Sequence, residues 1–209
     1  MSVKKTLTAL ALTLVMPAAA LASEGADRLT RMLEPLETYE ARFEQLILDG
    51  SGERLQQANG QMWLSRPGKF RWEVNAPYQQ EVISDGSEVY LYDPDLEQVT
   101  VQALDQRVTH TPALLLSGSA RELTESYEVT RQQQGGNETF RLVPKSPDTL
   151  FEELQMTFRS ERLAALQMID STGQETVIEF SDVRTNHAID ESRFAFQIPE
   201  GTDVIRDTQ

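Results

Sequence analysis

Two histidines, His110 and His187, and no cysteine are all that this chain offers among imidazole and thiolate ligands. A zinc site of the usual kind needs more than that. A Ser-His-Asp triad can be drawn on paper with either histidine, but no G-x-S-x-G elbow is present to expose a nucleophile. Glycine-rich loops that cradle phosphate are missing as well. The carboxylates could include a glycosidase-type pair, which meets only in three dimensions; solvated surface charge is the commoner role on an acidic chain. The expectation is a non-enzyme with no cofactor and no metal. One cation does stand out. Arg66 sits in Met62-Trp63-Leu64-Ser65-Arg66-Pro67-Gly68-Lys69-Phe70-Arg71-Trp72-Glu73, where two aromatic-rich runs meet at an Arg-Pro-Gly corner. A single charge at the rim of a greasy sheet face suits a binding cavity better than a catalytic centre.

The elements around that corner follow from periodicity. Alternation puts Met62, Leu64 and Arg66 on one face of their strand, and Phe70, Trp72 and Val74 on one face of the next. Val89 and Leu91 oppose Tyr90 and Tyr92, so that strand is apolar on both faces. A one-sided sheet needs only one apolar face, so this sheet is covered on both sides or curved around something. The triplet Leu114-Leu115-Leu116 is apolar all round and needs cover on more than one side.

Leu29, Met32, Leu33 and Leu36 predict a first helix over 26–38, with Pro35 kinking or ending it near Glu34. Strand-like runs follow at 41–48, 56–66, 69–75, 79–84, 88–93 and 97–103. The stretch 111–118 breaks this pattern. Pro112 suits a first helical position and Gly118 a stop, giving a short helix; Ser119 and Glu122 have capping-box spacing for another. Strands resume at 127–134, 138–143, 153–159, 162–169, 174–183 and 194–198. Close turns between short strands predict an antiparallel meander. The fold class is mainly β, in one domain.

The ends and totals narrow the setting. Lys4 and Lys5, the apolar run Leu7 to Val15 and the A-x-A site Ala20-Leu21-Ala22 read as a secretory signal peptide over 1–22, cut after Ala22. The apolar run is too short to span a bilayer. Ser23 stands where a lipoprotein would carry its acylated cysteine, so the chain from 23 to 209 is expected to be soluble and not lipid-anchored; a monomer is expected as well. The formal charge is −14, and losing the two leader lysines makes it −16. No basic stripe exists to neutralise phosphates, which argues against nucleic acid.

The chain resembles the LolA family of periplasmic lipoprotein carriers over essentially all of its mature length. Four blocks carry the resemblance: Ala41-Arg42-Phe43-Glu44-Gln45 with Asp49-Gly50-Ser51-Gly52; Gly60 to Trp72 with its Trp-x-x-Arg-Pro-x-x-Phe core; Ser84-Asp85-Gly86 through Tyr92-Asp93-Pro94 to Glu97-Gln98-Val99; and Thr111-Pro112-Ala113-Leu114-Leu115-Leu116. It implies an unclosed, strongly curved antiparallel β-barrel, with a helical lid over an apolar concave cavity. It also implies that Arg66 latches the lid by hydrogen-bonding backbone carbonyls of the 111–117 segment. The acyl-binding wall would be Met62, Leu64, Phe70 and Trp72 with Leu114, Leu115 and Leu116. The implied cargo is acylated lipoproteins, loaded by an inner-membrane ABC transporter and passed to an outer-membrane receptor. Two other readings stay open: a receptor-like or sensor domain of the same fold, and a periplasmic hydrolase. Ser23 in place of cysteine argues against the receptor.

Overall fold

A computed structural model describes residues 18–104, 112–147, 149 and 151–206. Residues 1–17, His110 and Thr111 lie outside the described residues. The first helix, α1, spans Ala18–Leu33. It starts before the predicted position and stops two residues ahead of Pro35, whose ring cannot continue the helical hydrogen-bond ladder. Six strands follow: β1 (Thr38–Leu48), β2 (Arg54–Ser65), β3 (Lys69–Ala76), β4 (Gln80–Asp85), β5 (Glu88–Asp93) and β6 (Gln98–Ala103). A 3-10 helix, Pro112–Ser117, forms the lid turn, and α2 (Ala120–Ser126) comes next. The Ser119 hydroxyl caps α2 by accepting from the Glu122 main-chain nitrogen at 3.4 Å. The second strand run is β7 (Tyr127–Gln134), β8 (Asn137–Pro144), β9 (Phe151–Arg159), β10 (Arg162–Asp170) and β11 (Glu175–Thr185). A final short strand, β12 (Asp203–Arg206), lies near the C-terminus.

All strands join one sheet in the order β12-β6-β5-β4-β3-β2-β1-β11-β10-β9-β8-β7, which leaves β12 and β7 as its two edges and the barrel unclosed. Two expectations are corrected at the C-terminal end. Residues 194–198 form no strand: Glu191–Phe194 is a 3-10 helix. The last strand is β12, and it pairs with β6 in parallel rather than antiparallel fashion.

Bulges bend the sheet. The β2–β3 register slips between Asn59 and Gly60, and the β1–β11 register between Glu40 and Arg42. An extra residue in one strand kinks it and raises its twist. At Gly60 the main chain of β3 comes so close that a Cβ would collide with the Glu73 carbonyl and lie 2.6 Å from Cζ of Phe43. The missing side chain lets Phe43 cross β2 and stack on Trp72, with ring centroids 3.5 Å apart.

Register assigns the faces. Met62 faces Trp72, Leu64 faces Phe70, and Trp72 faces Val82, so these residues share the concave side. All five are buried, and they form one core with Leu29 and Leu33 of α1 and with Ala113, Leu114 and Leu116 of the lid turn. The neighbouring row, Trp63, Arg71, Ile83, Tyr90 and Val101, faces the convex side. Trp63, Ile83, Val99 and Val101 are nonetheless buried. The segment after β11 covers this side. Phe194 is buried, the Arg193 guanidinium lies 4.3 Å from the Trp63 ring, and Phe196 touches Tyr90 and Tyr92 with centroids 5.4 Å apart. The two-faced apolar strands therefore have two covers: the lid inside and the C-terminal segment outside.

Candidate functional site

The chain turns from β2 to β3 through Arg66-Pro67-Gly68, directly below the lid turn. Gly68 N donates to the Ser117 carbonyl at 3.0 Å, and Ser84 Oγ donates to the Gly68 carbonyl at 2.6 Å. Arg66 projects from this fixed corner and is half-buried. Its Nε donates to the Leu116 carbonyl at 2.8 Å, and its Nη1 donates to the Leu33 carbonyl at 2.7 Å. Among the described residues no carboxylate pairs with it. Burial pulls the guanidinium below its ordinary value, yet arginine keeps its charge in any protein setting.

The two acceptors explain why a cation suits this place. Leu33 ends α1 and Leu116 lies in the last turn of the 3-10 helix. Carbonyls at a helix end lack intrahelical partners and carry the negative end of its dipole. The Leu33 carbonyl also accepts from Leu36 N at 3.0 Å, so Arg66 takes its second lone pair. One planar fork thus joins the ends of both segments that cover the concave face. The bond to Leu116 lies within the segment that the sequence singles out. The bond to α1 was not anticipated, although Pro35 marks a helix end whose carbonyls need partners.

The remaining site residues lie around this bridge. Met62, Leu64 and Phe70 are fully buried on the concave side, and Trp72 is nearly so. Leu114 and Leu116 are buried against them; Leu115 is only partly buried and packs on the same core. The interior is therefore lined by apolar side chains from both the sheet and the lid, with Arg66 at its border. The predicted lid position Thr111 lies outside the described residues.

The helix α1 is held at further points. Arg28 donates from Nε and Nη2 to both oxygens of Glu138 on β8, at 3.0 Å each. Arg131 of β7 donates to the same carboxylate. These hydrogen bonds, chiefly those from Arg28, hold the Glu138 carboxyl below the usual carboxylate range although burial opposes them. Thr30 and Thr124 join α1 to α2 through their hydroxyls at 3.0 Å.

His187 is bound at 2.7 Å through Nε2 to Glu40 of β1. Among the described residues no group of three or more histidine, cysteine, aspartate or glutamate residues could hold a metal ion. No described helix is long and apolar enough to cross a membrane.

Comparison with known proteins places this architecture. Residues 34–197 match the family model "Outer membrane lipoprotein carrier protein LolA". An outer-membrane lipoprotein carrier protein of Chromohalobacter salexigens is 64% identical over 95% of this chain and 95% of its own length. One from Azotobacter vinelandii is 52% identical over 87% of each. An uncharacterized conserved protein of Thermus thermophilus shares the fold at a TM-score of 0.52 and 13% identity, over 89% of this chain and 99% of that one.

Proposed function

This chain belongs to the LolA family of outer membrane lipoprotein carriers, and on that premise we propose that it shields lipoprotein acyl chains on its concave face while they cross an aqueous space. The observation that carries the reading is the Arg66 bridge. An apolar interior is closed by two helical segments, and one guanidinium ties the ends of both. A carrier role needs no catalysis, and membership of a carrier family implies a non-enzymatic role.

Physical chemistry sets the demand. Burying a methylene gains about 0.8 kcal/mol, and two acyl chains already anchor a protein stably to a membrane. A lipoprotein does not leave a bilayer at a useful rate unaided, so a chaperone must offer an equivalent apolar surface. It must also let go. Cargo entering the concave side has to displace Leu114 and Leu116 and break at least the Arg66–Leu116 bond. A hydrogen bond from a charged donor contributes about 1.5–3 kcal/mol. That cost subtracts from cargo affinity and favours release, which makes Arg66 the latch and Met62, Leu64, Phe70, Trp72 and Leu114–Leu116 the acyl-binding wall.

The wider setting is part of the same proposal. Residues 1–22 act as a leader, cut after Ala22, and the domain from 23 to 209 works in the periplasm as a monomer. An inner-membrane ABC transporter loads it and an outer-membrane receptor unloads it. Cleavage there shortens α1 to Ser23–Leu33, which keeps Gly25, Arg28, Leu29 and Leu33.

A displacement assay tests the reading. The purified protein should bind a fluorescent apolar dye, and a diacylated peptide should compete it away. Arg66→Leu should raise dye uptake by the empty protein and slow release of bound peptide to acceptor vesicles about tenfold or more, from the loss of one charged hydrogen bond. A dye signal that the acylated peptide leaves unchanged would overturn the carrier role; normal release by Arg66→Leu would overturn the latch.

A further inference from the structure

The joint between α1 and β1 is gripped by a side chain outside the apolar wall. Asn186 follows the end of β11 with φ of 53°, in the left-handed region that asparagine tolerates better than most residues. This turn aims its amide at residues 35–38. Oδ1 accepts from Glu37 N at 2.8 Å and from Thr38 N at 3.4 Å, while Nδ2 donates to the Pro35 carbonyl at 2.8 Å. Its main-chain nitrogen donates to the Thr38 carbonyl at 2.9 Å. His187 adds a second tie. Its N donates to Thr38 Oγ1 at 2.9 Å, and that hydroxyl donates to the His187 carbonyl at 2.7 Å.

The same joint meets Arg66 from the other side. Arg66 N donates to the Glu37 carbonyl at 2.9 Å, and its guanidinium donates to Leu33. The stretch from Leu33 to Thr38 is therefore held between Asn186 and Arg66. A guanidinium presents its donors in a rigid plane. Nε and Nη1 can reach two separate carbonyls together only if both stand in the right place, and the Leu33 carbonyl stands where this joint puts it.

We infer that Asn186 is a positioning residue for the lid: it fixes the α1–β1 joint so that the Leu33 carbonyl meets the Arg66 fork while the same fork holds Leu116. This rests on the reading of Arg66 as the latch. Asn186 touches no cargo and acts through Arg66.

That indirectness gives the test. Asn186→Gly removes the amide and leaves a left-handed backbone that glycine adopts freely. Asn186→Asp keeps the acceptor for Glu37 and loses the donor to Pro35. Each is made in the natural chain and in Arg66→Leu. The readouts are uptake of an apolar dye by the empty protein and release of a fluorescent diacylated peptide to phosphatidylcholine vesicles. In the natural background Asn186→Gly should raise dye uptake and slow release roughly fivefold, as for one neutral hydrogen bond. Asn186→Asp should fall between it and the natural protein. In Arg66→Leu neither should add anything, because their shared path is already cut. An equal effect in both backgrounds would show a purely structural role and overturn the inference. So would no effect of either variant while Arg66→Leu alone slows release; the latch would then stand without Asn186. If Arg66→Leu itself releases normally, the latch fails first and the inference with it.

Discussion

The helix α1 is tied to the sheet along its length, whereas the lid turn Pro112–Ser117 is tied at its end. Along α1 the ties run from Gly25, packed on the β7 main chain, through the Arg28–Glu138–Arg131 cluster to the Asn186 clamp beyond its last residue. The hydrogen bonds described between the lid turn and the sheet both come from the Arg66–Gly68 corner; the rest of its hold is apolar burial of Ala113, Leu114 and Leu116. Arg66 therefore joins an anchored segment to a lightly held one. On the proposed latch reading, this difference in ties assigns the motion to the turn: the bond to Leu116 would break and the bond to Leu33 would stay.

The largest effect that bears on this asymmetry comes from trimming one leucine on each side. Leu33 and Leu116 are both fully buried. Leu33→Ala should lower the free energy of unfolding by about 2–5 kcal/mol. Leu116→Ala should cost clearly less, because a segment that opens on its own contributes little to global stability. Urea denaturation of the two variants decides it, and equal losses would break the comparison.

The next effect is acid sensitivity on the α1 side. Glu138 has a depressed carboxyl pKa in the folded state, so its contribution is present above the ordinary glutamate value, about 4.3. It is lost as pH falls through the lower folded value, when protonation removes the negative charge that holds Arg28 and Arg131. Glu138→Gln should cost about 1–3 kcal/mol at neutral pH and flatten the acid limb of a plot of melting temperature against pH. An unchanged acid limb would show that this cluster does not anchor α1.

The smallest effect comes from Gly25. A Cβ there would lie 2.8 Å from the Val129 carbonyl oxygen, so Gly25→Ala must push α1 off β7. Exchanging glycine for alanine inside a helix gains about 1 kcal/mol, and overpacking costs about 1–3 kcal/mol. A net loss of about 1 kcal/mol in denaturant titration is expected; a net gain would mean that α1 yields as readily as the lid turn.

Strands and turns were legible because period-two patterning and Gly, Pro and Asp punctuation are local signals. The leucine triplet and the Arg-Pro corner were legible too, since an all-round apolar turn and a lone rim cation need partners. The face that lines the interior was not, because Tyr90 and Leu91 are both apolar and only register separates convex from concave. The run 194–198 alternates like a strand, yet Phe194 is buried at the end of a 3-10 helix and Phe196 packs on Tyr90 and Tyr92 instead of joining the ladder. Parallel β12 left no trace because its four residues are all exposed and show no alternation. Asn186 looked like an ordinary loop residue; its role depends on a joint about 150 positions earlier, which tertiary folding alone supplies.

An open sheet has two rows of unpaired main-chain groups, and each is a template on which another chain can add a strand. This molecule meets both with its own terminal segments. On one side α1 lies against β7, with Gly25 close to Val129 and Arg131; on the other β12 pairs with β6. What β12 then presents is four residues long and bounded by Asp203 and Arg206, a poor seed for polymerisation. A sheet that stays unclosed is exposed to strand-by-strand self-assembly whenever its edges are bare. The ends of the chain act as guards against that fate, so truncating either terminus should be judged by solubility as well as by transport.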